Sequence, residues 1–344
     1  MISFMKNKTS TGGSFMKKII VVLMVAVLAM SSVFAQGVEE THTKSKVIAG
    51  VVFQEDQFMK TLSKGYSDAA KNRGYEIQLA NTTNDQSKES DFINTYAAQK
   101  IAGVAISPMN TQVSPAVLSD ANDAGLVISI CNAAIDAFPY AVASYTADNY
   151  SFCHQTGVNA AKYLLEKDAN KTYKVGIVQY KTLVPEQSSE RIRGFFTALD
   201  EAGVKYEIVA DQDAWLQDMA VAKTGDMLAA NPDIDFIYAA NDGGTVGSVM
   251  AVENAGLAGK TVVFGTDASE QIVDLLKDPN NILQAVTGQD PYAIGYEAVD
   301  ALINRIEGIH FEGEGKTNII PGTPLVRGDN AELDAFIADW QSKM

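Results

Sequence analysis

From Lys46 onward the chain alternates between two hydrophobic periods. Residues 47–53 form a near-continuous apolar run, as expected of a strand covered on both faces. The next segment, 57–73, places Phe58, Leu62, Tyr66 and Ala69-Ala70 on one face at helical spacing. Gly74 then stands where a left-handed residue would end that helix, ahead of a strand predicted over 75–80. The same pattern predicts strands over 103–107, 127–131, 175–180, 207–210, 236–240, 261–265 and 282–288, with helices between them. Gly125, Gly203 and Gly256 again precede the next strand, and 331–340 reads as a closing helix. Regular alternation of strand and helix implies an α/β fold with parallel sheets and right-handed crossovers.

These units exceed what one compact open sheet holds. The pattern breaks at 141–148, an extended stretch after which the series restarts, and again at Gln289-Asp290. No low-complexity linker intervenes, so the expectation is two Rossmann-like lobes joined by a hinge of several short strands. Residues 46–147 plus 290–319 make one lobe, and 148–289 plus 320–344 make the other.

The first segment reads as a targeting signal. Lys17-Lys18 precede an apolar run over 19–30, and the small residues of 31–35 offer a cleavage site near Ala35. The run is short for a membrane span. Residues 1–35 are therefore expected to be a secretory signal peptide, with Met16 as its start, and the mature protein to be periplasmic. The formal net charge is −15, or −19 without the four lysines of that segment. So acidic a surface disfavours nucleic acid and anionic lipid as partners. The two cysteines, Cys131 and Cys153, are no disulfide scaffold. We expect two buried thiols, with a disulfide between them as the alternative.

Ligands of parallel α/β sheets bind beyond the carboxyl ends of the strands. The residues there share a chemical theme: Asp56, Phe58, Asn132, Asn241, Asp242, Asp267 and Gln289. Short polar side chains that exchange hydrogen bonds with adjacent hydroxyls, beside an aromatic face for the C–H side of a ring, suit a small neutral carbohydrate.

At these residues the chain resembles the type I periplasmic sugar-binding proteins, most closely the galactose/glucose-binding branch. The resemblance spans roughly 47–326. Asp56-Gln57-Phe58-Met59 resembles that branch's acid-x-aromatic-Met turn, and Asn84-Asp85-Gln86-Ser87-Lys88 a stretch opening its second helix. Asn132 matches a sugar-contacting Asn, Arg191 a sugar-binding Arg, and Ala214-Trp215 the segment carrying a second stacking aromatic. Asn241-Asp242 and Gly265-Thr266-Asp267 match two strand-end motifs, and Gln289 a hinge residue that contacts the sugar. The resemblance implies ligand contacts from Asp56, Phe58, Asn132, Arg191, Trp215, Asn241, Asp267 and Gln289. It also implies a monomer that closes its lobes on a galactose- or glucose-like sugar and delivers it to an ABC transporter permease, and to a chemoreceptor in some members. The chain departs from the branch at Pro185 and Gln187, where the branch has a sugar-contacting His and Asp. The branch's calcium loop is missing too: residues 167–173 cannot supply the oxygens, so no metal and no cofactor is expected.

Each candidate has a plainer reading. Asp56 and Asp267 precede helices and suit N-caps; of Asn241 and Asp242, Asn241 is the expected ligand and Asp242 the cap or a support behind the ligand contacts. Arg191 could pair on the surface with Glu190 or Glu186. An enzyme is a rival, with Asp56 and Asp267 as the opposed carboxylates of a glycosidase. Against it, His42, His154 and His310 have no nucleophile beside them, and no nucleophile elbow or phosphate loop is present. A LacI-type regulator needs a DNA-binding helix pair where this chain has its leader. A receptor for a pentose, cyclitol or autoinducer-type ligand stays open.

Overall fold

The computed structural model describes residues 45–343; the leader read over 1–35 and His42 lie outside them. The first sheet is built from β1 (Val47–Val52), β2 (Glu76–Asn81), β3 (Gly103–Ile106), β4 (Val127–Cys131), β5 (Ser144–Thr146) and β11 (Thr317–Ile319). Its order is β11-β5-β4-β3-β1-β2, parallel throughout. The second sheet takes β6 (Thr172–Gln179), β7 (Lys205–Asp213), β8 (Phe236–Ala239), β9 (Val262–Phe264), β10 (Leu283–Gly288) and β12 (Thr323–Val326). Its order is β12-β10-β9-β8-β6-β7, parallel except for β12, which runs antiparallel to β10.

Helices follow the strands: α1 (Gln57–Asn72), α2 (Gln86–Gln99), α3 (Ser114–Asp123), α4 (Asn149–Asp168) and α5 (Pro185–Glu201). After them come α6 (Gln217–Ala230), α7 (Asp242–Asn254), α8 (Glu270–Lys277), α9 (Pro291–Glu307) and α10 (Asn330–Lys343). Gly74, Gly125, Gly203 and Gly256 all have positive φ, as their places after helices predict. The chain passes between the sheets after β5, after β10 and after β11. Because of these crossings α9 packs on α1 and the first sheet, while α4 packs on α5 and β10 of the second.

Each sheet is covered by a hydrophobic layer. Under the first lie Ile48, Leu62 and Tyr66, all fully buried. Under the second, Phe195 stacks on Tyr238 with ring centroids 3.8 Å apart, flanked by Phe236 and Phe264. Cys131 and Cys153 are free and buried, and burial pushes each thiol up to about 12. The strands β11 and β12 and the full lengths of β7 and α10 go beyond the hydrophobic pattern. Short polar segments such as Thr317-Asn318-Ile319 have no periodicity to reveal them.

Candidate functional site

The carboxyl ends of both sheets meet at one cleft. Every candidate from the sequence lines it: Asp56, Phe58, Asn132, Arg191, Trp215, Asn241, Asp267 and Gln289. Gln54, Tyr180, Gln187 and Asp242 line it too.

Asp56 follows β1 and caps α1, accepting from the Met59 amide at 2.7 Å and from Gln54 Nε2. Burial, reinforced by the charge of Asp267, pushes its carboxyl up to about 6 despite those two hydrogen bonds. Phe58, in the first turn of α1, lies on the wall with 9% of its surface exposed. Asn132 follows β4 with φ 56°, a left-handed backbone that Asn tolerates better than most residues. Its peptide carbonyl accepts from Gln187 Nε2 of α5, so the two lobes touch directly at this point.

On the second lobe, Arg191 is only 3% exposed, which excludes the surface pairing with Glu190 or Glu186; Arg193 takes Glu190 instead. From α5 its Nε donates to Asn149 Oδ1 at 2.9 Å. Its Nη1 donates to the Ala240 carbonyl at 2.8 Å and to Asp267 Oδ2 at 3.3 Å. The guanidinium lies over Phe152 and Tyr180, 4.8 and 5.4 Å from the ring centroids. Asp267 has φ 68° and caps nothing, because Ser269 takes that place for α8. Its carboxylate accepts from Arg191, from the Asp242 amide at 3.1 Å and from Gln289 Nε2 at 2.5 Å. These contacts hold a non-glycine residue in a sparsely populated backbone region.

The cap expected of Asp242 is made by Asn241 instead, and both residues line the cleft. Asn241 caps α7, accepting from the Gly244 amide at 3.1 Å, and its Nδ2 donates to the Trp215 carbonyl at 2.8 Å. Asp242 is the first helical residue, and burial followed by the charges of Asp56 and Asp267 holds its carboxyl well above the ordinary range. Adjacent Asn and Asp compete for one cap, and only the backbone decides which side chain turns back to the helix. The strand-end rule applied equally to Gln54 after β1 and Tyr180 after β6. Tyr180 was counted into its strand, and Gln54 sits in a run of polar residues that carries no periodic signal.

Several buried polar atoms of the lining have no protein partner: Gln54 Oε1, Asn132 Oδ1, Gln289 Oε1, Tyr180 Oη and Trp215 Nε1. Buried polar atoms are nearly always satisfied. Their concentration around one cleft marks a surface that a hydrogen-bonding ligand completes. Elsewhere His154 pairs with Glu201 at 2.8 Å and His310 with Glu314 at 3.0 Å, both outside the cleft. Among the described residues no group of His, Cys, Asp or Glu side chains is placed to hold a metal ion.

Residues 49–309 match the family described as periplasmic binding protein domain. The ABC transporter periplasmic-binding protein YphF of Escherichia coli is 29% identical over 269 residues, 77% of this chain and 80% of that one. The D-ribose/D-allose-binding protein of Pseudomonas aeruginosa is 28% identical over 261 residues, 73% and 78% of the two chains. Among solved structures, an ABC transporter solute-binding protein of Bacillus halodurans with bound myo-inositol superposes with a TM-score of 0.76. It is 19% identical, over 87% of this chain and 99% of that one, a likeness of fold alone.

Proposed function

Because this chain belongs to the periplasmic binding protein domain family, we propose that it is the extracytoplasmic binding component of a sugar ABC importer. In this reading it captures a monosaccharide between its lobes and hands it to a membrane permease. The family consists of substrate-binding transport proteins. We extend that to this chain as a monomer that binds and releases without chemistry, with a chemoreceptor as a second partner. Asp56 and Asp267 then act as hydrogen-bond acceptors, not as the acid and nucleophile of a glycosidase.

The observation that supports it best is the set of unpartnered buried polar atoms between two aromatic walls, Phe58 from one lobe and Trp215 from the other. Ring hydroxyls, which both donate and accept, can meet acceptors and donors alike, and aromatic faces fit the ring's C–H surface. Contacts on both sides favour the closed arrangement, the hinge closure of such binding proteins. An aldohexose of the galactose/glucose kind is the first candidate, with pentoses and cyclitols next, because Pro185 and Gln187 replace two hexose contacts of that branch.

The test is a thermal-shift panel of hexoses, pentoses, cyclitols, amino sugars and nucleosides on the secreted chain. A ligand at a hundred times its dissociation constant adds about 2.7 kcal/mol to stability and raises Tm visibly. A hit lost in Trp215→Ala and Asp267→Ala supports the reading. A response only to nucleosides, or turnover of a glycoside, overturns it.

A further inference from the structure

Charge inside the cleft does not balance. Three carboxylates line it, Asp56 from the first lobe and Asp242 and Asp267 from the second, against one cation, Arg191. Arg191 is already committed, to Asp267 at 3.3 Å and to the Ala240 and Asn149 oxygens. Among the described residues neither Asp56 nor Asp242 has an ion-pair partner. Lys60, whose charge reaches Asp56, pairs with Glu55 on the surface at 3.2 Å. The two carboxyls come from opposite walls of one cleft, and the charge of Asp56 is second only to burial in raising the carboxyl of Asp242.

The hydrogen-bond polarity points the same way. Gln54 and Gln289 each turn Nε2 to a carboxylate, Asp56 and Asp267, which only accepts. Their amide orientation is thereby fixed, and each is left with a buried, unpartnered carbonyl oxygen, at side chains only 6% and 4% exposed. Asn132 Oδ1 adds another acceptor, against one unpartnered donor, Trp215 Nε1, and one hydroxyl that can do either, Tyr180 Oη. A surplus of acceptors carrying net negative charge is met best by a group that only donates and is positive. A bare divalent ion is not that group, since the acids are not placed to share one.

We propose that the ligand is a polyhydroxylated ring carrying a protonated primary amine, of the amino-sugar class, with its ammonium seated between Asp56 and Asp242. This narrows the sugar reading above, on which it rests, and departs from the neutral ligand suggested by the sequence. Phe58 and Trp215 still cover the ring, and an aromatic face beside an ammonium adds attraction of its own.

Calorimetric titration of the secreted chain at pH 7.5 separates the possibilities. The probes are hexoses bearing a free amine at carbon 2, 3 or 6, the parent hexoses, the N-acetylated forms, and neutral pentoses and cyclitols. The expected result is that one free amine binds about tenfold or more tightly than both its parent and its N-acetyl form, as a charge-assisted contact in a buried site allows. Asp56→Asn and Asp242→Asn should each shrink the ratio of amine to parent affinity toward one. A parent sugar, pentose or cyclitol that binds as tightly as every amine overturns the amine assignment and leaves the sugar reading standing. An amine preference that survives both substitutions overturns the seat between the two acids. Silence from all the probes removes the proposal and the sugar reading together. The comparison of free amine with N-acetyl form needs only the unmodified chain, so it decides the matter even where a variant does not fold.

Discussion

Asp56 combines a helix cap with a buried charge, and the two can be separated. Its cap to the Met59 amide needs only an oxygen acceptor, which Asn supplies equally. Its charge is held at a cost, since burial and Asp267 push the carboxyl up to about 6 from an ordinary 3.8. The native state therefore binds more protons than the unfolded chain between about pH 4 and 6. The contribution of Asp56 to stability falls as pH rises through that window and stays low above it. In Asp56→Asn the cap remains and the titration vanishes. Urea unfolding without ligand should show the variant gaining stability relative to the unmodified chain from pH 4 to 7. A difference that is flat with pH would count against this account of Asp56. Its place after β1 was legible in the sequence, because a strand end and a helix start meet there. Its proton affinity was not: that depends on burial and on Asp267, brought near from the other lobe.

Pairs of helices position the site, and glycines set how closely they approach. At the crossing of α4 and α5, a Cβ on Gly194 would lie 2.2 Å from the Tyr150 carbonyl oxygen, and one on Gly157 2.4 Å from that of Phe195. The first lobe repeats the arrangement where α1 meets α9: a Cβ on Gly65 or on Gly295 would lie 2.2 Å from a facing carbonyl oxygen of the partner helix. Glycine in a helix interior ordinarily costs about 1 kcal/mol against alanine, so these four are kept for contact. Gly194→Ala should thus destabilise by roughly 1–3 kcal/mol, as overpacking does. It should also weaken ligand binding, because α4 and α5 carry Asn149 and Arg191, whose 2.9 Å hydrogen bond fixes the guanidinium. Gly225 in α6 is the control: nothing lies within 4 Å of its would-be Cβ, so Gly225→Ala should stabilise by about 0.4–1 kcal/mol. Urea melts of the two variants check both signs. The helices were legible from their apolar faces and their glycine ends. That Gly157 meets Phe195 and Gly194 meets Tyr150 was not, because helical spacing shows which face is apolar but not which helix covers it.

At the scale of the molecule the described lobes are joined by three passages of chain, by the ion pair of Lys343 on α10 with Asp290 at 2.7 Å and, across the cleft, by the hydrogen bond from Gln187 on α5 to the Asn132 carbonyl after β4. The order of strands, with breaks at 141–148 and at Gln289-Asp290, made the two-sheet plan legible. The angle between the sheets is set by the hinge and by contacts such as this one, which no local pattern encodes. Gln187 was visible in the sequence only as a departure from the galactose/glucose-binding branch. In the structure its amide bridges the lobes, opposing the repulsion of Asp56 and Asp242 across the same cleft. Removing the bridge should raise the population of open molecules without disturbing either core, since Gln187 is only partly buried on the first turns of α5. Apparent affinity scales with the fraction of competent, closed molecules. Gln187→Ala should then weaken ligand binding about three- to tenfold, through a smaller closed fraction and faster release. Small-angle scattering of the ligand-free variant should show a larger radius of gyration than the unmodified chain, and saturating ligand should restore it. An unchanged radius with the same loss of affinity would instead make Gln187 a direct ligand contact, the role its counterpart plays in the galactose/glucose-binding branch.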